Sequence, residues 1–225
     1  MMVCLIMNKK QPIVTVMALI FSLIVSDILY LYISKKHTAS QAVRVYNEFI
    51  EGRRCYGSES ILSYVTPTRE PEKRYTTDYF IADSTGDGIP ELHLRTSREY
   101  IIFTYRDENM EWLHSFFSSP WEYHLLQNGV MVHQVDIGDT EIIGGIYYNF
   151  FTLNHTGACV PGMSFGWRDV NNNYSLDVDD EYYYDESDCT PDKWFEQTKE
   201  YIYINEEGHQ CIRNEVDWIR YCEAK

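Results

Sequence analysis

The chain has 225 residues, a formal net charge of −15 and 15% aromatic residues, with 19 tyrosines. That length holds a membrane segment plus one domain of about 190 residues, or two small ones, so a sizeable core can form. A chain this acidic repels phosphate backbones, which excludes nucleic acid as a natural partner, and it suits cations.

The first element is apolar. Residues 12–34 read PIVTVMALIFSLIVSDILYLYIS, with Lys9 and Lys10 before the run and Lys35 and Lys36 after it. A spanning helix needs about 20 apolar residues, each adding about 1.5 Å. Asp27 is the one charge inside, and it lies near the outer end, where a carboxylate costs less than at the centre. Tyr30 and Tyr32 fall where aromatic belts sit. The expectation is a cytoplasmic tail over 1–11, a transmembrane anchor over 12–34, a helix and linker over 35–73, and a β-rich extracytoplasmic domain over 74–225. The flanking lysines tie, so the N-inside orientation rests on the basic, signal-like start and on the extracytoplasmic features described below. Cleavage is the alternative. Ile24-Val25-Ser26 is a poor small-x-small site, so an uncleaved signal-anchor is expected.

Ala42, Val45, Tyr46, Phe49 and Ile50 recur at helical spacing, which predicts an amphipathic helix over 38–52. Thr38 or Ser40 would cap it and Gly52 would end it. Strand-like runs then dominate. They cover Tyr75 to Ile81, Leu92 and Leu94 alternating with His93 and Arg95, Tyr100 to Tyr105, and Trp112 to Phe117 after the turn-like Asp107-Glu108-Asn109. Asn128-Gly129 between Tyr123–Gln127 and Val130–Val135 signals a two-residue hairpin. Ile142 to Leu153 and Met163 to Trp167 continue the pattern. Thr190-Pro191 opens a second helix, threonine as cap and proline at the first position, with Trp194, Phe195, Tyr201 and Ile202 as its buried side. Ile212, Val216 and Ile219 suit a short helix near the end of the chain. The fold class is α+β, an antiparallel sheet meander with flanking helices.

The most specific stretch is Asp83-Ser84-Thr85-Gly86-Asp87-Gly88-Ile89-Pro90-Glu91. Oxygen side chains at Asp83, Thr85, Asp87 and Glu91, with the Ile89 carbonyl, match the 1, 3, 5, 9 and 7 positions of a calcium loop, and Gly88 stands where such a loop turns sharply. Leu94 replaces the bidentate glutamate of an EF-hand at position 12, and a strand follows where an EF-hand has a helix. A second candidate is Asp169, Asn171, Asn173, Asp177 and Asp180, with Tyr174 where glycine is preferred; a solvated acidic hairpin is the equal alternative there. The cofactor expected is calcium.

Outside Cys4, the five cysteines Cys55, Cys159, Cys189, Cys211 and Cys222 cannot all pair within one chain, and at least one disulfide is expected in an oxidising space. No cysteine or histidine spacing suggests zinc, and the scattered histidines are expected to be packed or exposed, not catalytic.

The GDGIPEL loop resembles the DxNGDGxPEL loops of exported, membrane-anchored clostridial proteins and the calcium loops between strands in FG-GAP and VCBS repeats. The order of the elements resembles the clostridial pattern too: membrane segment, short helix, GDGIPELH, tyrosine-rich strands, then LLQNGV. The resemblance implies export and calcium, with Asp83, Thr85, Asp87 and Glu91 on the ligand positions, and it implies no activity. Thr85 in place of asparagine or aspartate weakens the match.

The functional expectation is a membrane-anchored extracytoplasmic calcium-binding domain, a non-catalytic binding or interaction module with a cell-surface glycan or protein as ligand. The alternative is an exported hydrolase acting on glycan or peptide, with acids near Asp83 or between Asp136 and Asp139. A structural subunit held by its membrane helix is a third reading.

Overall fold

The computed structural model describes residues 11–65, 77–117, 119–136, 144–170, 179–185, 187–206 and 210–221, with backbone alone for residues 11–16, 18 and 19.

Nothing after Pro12 interrupts a helix until Gly52: the stretch has no glycine and no further proline, the two residues that break helices most strongly. Accordingly α1 (Gln11–Ile50) is one continuous element, and the expected membrane segment and amphipathic helix are its two parts. Thr38 and Ser40, expected as caps, lie inside it. Their hydroxyls donate back to the Ser34 and Lys36 carbonyls at 3.1 and 3.0 Å, the bond such residues make within helices. Gly52, at φ +73°, ends α1. Its amide donates to the Phe49 carbonyl at 3.0 Å, and that of Arg53 to the Glu48 carbonyl at 2.8 Å, the Schellman pattern. Among the described residues no helix is long and apolar enough to cross a membrane; the expected segment begins among residues whose side chains lie outside that set.

The strands form two main antiparallel sheets. The first orders β13 (Ile219–Arg220), β1 (Asp78–Ala82), β2 (Glu91–Arg95), β3 (Tyr100–Arg106) and β4 (Asn109–Phe116). The second orders β10 (Ser187–Cys189), β9 (Glu181–Tyr184), β8 (Cys159–Arg168), β7 (Gly145–Leu153), β6 (Met131–Asp136) and β5 (Tyr123–Leu125). A small pair joins β11 (Ile202–Ile204) and β12 (Gln210–Ile212), and α2 spans Pro191–Thr198. The α+β class with antiparallel sheets holds.

Three apolar clusters stack these elements into four layers. Ala42, Val45, Tyr46 and Phe49 of α1 pack on Leu92, Leu94, Ile101, Phe103 and Tyr105 of the first sheet. Tyr100, Ile102 and Leu113 on that sheet's other face meet Tyr123, Leu125, Met131 and Leu153 of the second. Beyond it, Tyr148, Phe150, Phe165, Trp167 and Tyr182 pack on Trp194 of α2. The layers explain β2. Its alternation predicts one wet face, yet all five residues are buried, because α1 covers one face and the second sheet covers the other. Glu91, His93 and Arg95 therefore lie inside the protein. His93 is a packed core histidine: its Nδ1 is 2.9 Å from the Tyr100 hydroxyl, and burial pushes its pKa down to about 3.

Other turns differ from their sequence signals. The Leu126 amide donates to the Val130 carbonyl and the Gly129 amide to the Leu126 carbonyl, at 2.8 and 2.9 Å. Gln127-Asn128-Gly129 is thus a three-residue loop with Gly129 at φ +82°, in place of the expected two-residue turn. Asp107-Glu108, at φ +46° and +65°, is a two-residue turn closed by the Arg106–Asn109 pair. Thr190 caps α2 as expected, accepting the Lys193 amide at 3.4 Å. The helix stops before Tyr201 and Ile202, and Ile202 opens β11. The short helix expected from Ile212, Val216 and Ile219 is absent among the described residues; Ile212 ends β12 and Ile219 begins β13. The Tyr75, Asp139 and Cys222 positions lie outside the described residues. Cys55, Cys159 and Cys189 are free, so the expected disulfide does not involve them.

Candidate metal centre

β1 and β2 pair with Ala82 opposite Glu91, so residues 83–90 are the connection between two neighbouring strands. Gly86 and Gly88 sit at φ +74° and +81°, where glycine alone is free of strain. Those two turns wrap the backbone around Asp83. Its Oδ1 accepts the Gly86 amide and its Oδ2 the Gly88 amide, both at 2.7 Å. Asp87 Oδ1 accepts the Ile89 amide at 2.7 Å.

Glu91 is the first residue of β2 and is fully buried. Its Oε2 accepts the Ser84 amide at 2.8 Å, the Ser84 hydroxyl at 3.1 Å and the Thr85 amide at 3.3 Å. Its Oε1 accepts the Thr85 hydroxyl at 3.2 Å. One oxygen from each of Asp83, Asp87 and Glu91 lies within 4.8 Å of the others. Burial raises the Glu91 pKa to about 7; hydrogen bonds from Ser84 oppose this, and the charges of Asp87 and Asp83 add to it. The two half-exposed aspartates thus disfavour the ionised form of the buried glutamate beside them.

This arrangement could hold a metal ion, as three hard oxygens converge, and nothing in it selects calcium over another hard cation. Its chemistry is that of a clamp. Glu91 has the raised pKa of a general acid, but no exposed surface through which a substrate could reach it.

Of the expected ligands, the structure brings Asp83, Asp87 and Glu91 together. Thr85 sits beside them with its hydroxyl directed at Glu91. Ile89 packs its side chain on the first core cluster. In the second stretch, Asn171, Asn173 and Asp177 lie outside the described residues. Asp169 and Asp180 are buried at the base of the connection between β8 and β9, whose last pair is Arg168–Glu181. Asp180 accepts the Val170 amide at 3.3 Å. The stretch thus joins two antiparallel strands.

Three further residues shape the loop, one within it and two outside. Ser84, 2% exposed, anchors Glu91 through two donors. Lys35 of α1 lies over Gly88, where an added Cβ would collide with its Cε and come 2.8 Å from its Nζ. Gly129 packs its backbone on the Asp83 carbonyl, leaving no room for a side chain. The loop is therefore braced from α1 and from the second sheet at once.

No family model, curated protein or solved structure matches the chain.

Proposed function

We propose that the chain is a membrane-anchored, extracytoplasmic, non-catalytic binding module whose Asp83–Glu91 loop is closed by calcium. The observation that carries the metal reading is the convergence of three carboxylates, one fully buried, within 4.8 Å. A divalent cation offsets their mutual repulsion and holds Glu91 ionised. Calcium is the ion favoured, because flexible loops of mixed oxygen donors suit it better than magnesium, which gives up its waters reluctantly.

What supports the anchor is the amino-terminal half of α1. Every described side chain from Ile20 to Ile33 is exposed, and all but Ser22, Ser26 and Asp27 are apolar or tyrosine. An apolar helix surface with no protein against it calls for lipid. An extracytoplasmic location supplies abundant calcium, so even a site with Kd on the order of 10⁻⁴ to 10⁻³ M is filled there.

Thermal melts of the full chain in detergent micelles test the metal. Calcium should raise the melting temperature above that in chelator, and magnesium should do so poorly. Identical melts in both would defeat calcium closure. Protease added to intact cells tests the topology: the domain should be digested, and protection would overturn the orientation.

A further inference from the structure

We propose that the step where the second sheet emerges from beneath the first is a binding site for a neutral glycan. The inference rests on the binding-module reading and is independent of the calcium loop.

The step follows from register. Tyr123, His133, Asn149 and Ser164 are successive cross-strand partners on β5, β6, β7 and β8. Partners directly opposite project to one face with Cβ atoms about 5 Å apart, so these four form a row across the sheet. The row shares its face with Met131, Phe151 and Leu153, by alternation and pairing. The first sheet covers Leu125, Met131 and Leu153. It stops at Phe116, the last residue of β4. From there the face continues uncovered: Asn149 is exposed, and His133 and Ser164 are half-buried. A cleft of about 380 Å³ lies on this step.

One end of the row is aromatic. Phe116, Tyr123 and His133 stack in a column, 4.2 Å and then 4.3 Å between ring centroids, the second pair within 2° of parallel. The imidazole closes the column beside Asn149. The next row is Tyr147–Gly166–Tyr183. Gly166 presents no side chain, and the two tyrosine rings stack across it at 5.7 Å. Aromatic surface thus flanks a strip of amide, hydroxyl and imidazole. Sugars have apolar C–H faces and a periphery of hydroxyls, and this pattern answers both.

Charge and backbone narrow the class. The residues lining the cleft include no lysine or arginine, so an acidic ligand meets no cation among them, and the carboxylates at its margin, Glu122 and Asp185, are held by His133 and by the Ser164 amide. Burial holds His133 below the ordinary imidazole range despite Glu122 beside it, so near neutral pH its ring both donates and accepts. Along the row, β6 and β7 pair with each other and with β5 and β8, whereas β9 covers β8 only from Phe165 to Arg168. At His133 and Asn149 the backbone is engaged in the ladder on both sides, so a ligand there meets side chains and not a free strand edge. Recognition falls to side chains.

The test uses the full chain in a zwitterionic detergent, titrated calorimetrically with neutral hexasaccharides of glucose, mannose and N-acetylglucosamine, and with an oligogalacturonate as the acidic comparison. At least one neutral sugar should bind, with Kd on the order of 10⁻⁴ M. Asn149→Ala and Ser164→Ala should each weaken it about tenfold or more, by loss of hydrogen bonds, and leave the melting temperature unchanged. Lys193 is exposed on α2, across the sheet from the step, and Lys193→Ala should leave the sugar affinity unchanged. No neutral sugar binding at millimolar concentration, tighter binding of the acidic one, or affinity undiminished in both variants would overturn the assignment. Release of shorter sugars would defeat the non-catalytic reading while leaving the step as the binding site, provided both variants bind less.

Discussion

Ser84 donates both its amide and its hydroxyl to one oxygen of Glu91, at 2.8 and 3.1 Å, and neither residue exposes more than 2% of its surface. The start of the loop is thereby fastened to the start of β2 by a carboxyl group that water does not reach. The protonation of Glu91 is then a property of the whole turn.

The first prediction concerns pH. The Glu91 pKa lies at about 7, against 4.5 for a free glutamate. Between those values the folded chain holds a proton that the unfolded chain has released. In chelator, the contribution of Glu91 to stability therefore falls as pH rises from about 4.5 to 7, by on the order of 3 kcal/mol. His93 acts oppositely. Its pKa of about 3 in the fold lies below the ordinary 6.5, so its contribution is present above pH 6.5 and lost as pH falls toward 3. The two slopes oppose and largely cancel between about pH 4.5 and 6.5, so Glu91→Gln should uncover a stability that climbs with pH across that range, against a nearly flat profile in the parent chain. Urea titrations in chelator from pH 4 to 8 read both. Calcium affinity should climb across pH 7 in the parent chain, because the ion requires the ionised carboxylate.

Asp83 and Asp87 give the second prediction. Calcium at ten times its Kd stabilises a fold by about 1.4 kcal/mol. Asp83→Ala and Asp87→Ala should each erase most of that increment, seen as melts that no longer respond to calcium. In chelator the two should diverge. Asp83→Ala leaves the Gly86 and Gly88 amides without their acceptor, whereas Asp87→Ala releases only the Ile89 amide. The former should be the less stable, by about 1 kcal/mol.

Gly88 supplies the third. Alanine there must adopt φ near +81° and must displace the Lys35 side chain. The backbone alone costs about 1–2 kcal/mol. Lys35→Ala should relieve the collision and not the φ, so the double variant should recover only part of the loss. Full recovery would show that the turn tolerates a side chain. Chemical denaturation of the two singles and the double gives the coupling.

The fourth lies far from the loop. Asp107 and Glu108 hold left-handed backbone with no glycine between β3 and β4. Glu108→Gly should stabilise the chain by roughly 0.5–1 kcal/mol, since relief of strain at φ +65° outweighs the added freedom of the unfolded state. An unchanged denaturation midpoint would mean that the turn bears no such strain.

Much of the strand pattern was legible, because alternating residues such as Tyr79 and Ile81 or the run from Tyr100 to Tyr105 report local geometry. The converging acids at Asp83, Asp87 and Glu91 were legible for the same reason: all three lie within nine residues. The remainder depended on what lies opposite. Ile212, Val216 and Ile219 have helical spacing, yet Ile212 and Ile219 belong to different sheets. Thr38 and Ser40 look like caps only if a helix begins there. Nothing local says that Glu91, His93 and Arg95 face a second sheet, or that Lys35 reaches Gly88. Asn128-Gly129 signals a two-residue turn because the dipeptide favours one, whereas the bond from Leu126 to Val130 closes a longer loop. The row from Tyr123 to Ser164 spans four strands, and cross-strand register is invisible in a single segment.

The unbroken course of α1 from Gln11 to Ile50 has a mechanical consequence. Ala42, buried in the first core cluster, lies eight residues past Ser34, or about 12 Å along the axis. With no hinge between them, a bilayer around the upstream half would set the domain's height and compass heading together. Those two quantities would not be adjustable alike. One residue inserted after Lys36 would lift the domain by only about 1.5 Å but swing it through about 100° around the helix axis. A step that faced a neighbouring surface would then face away from it at almost the same distance from the lipid.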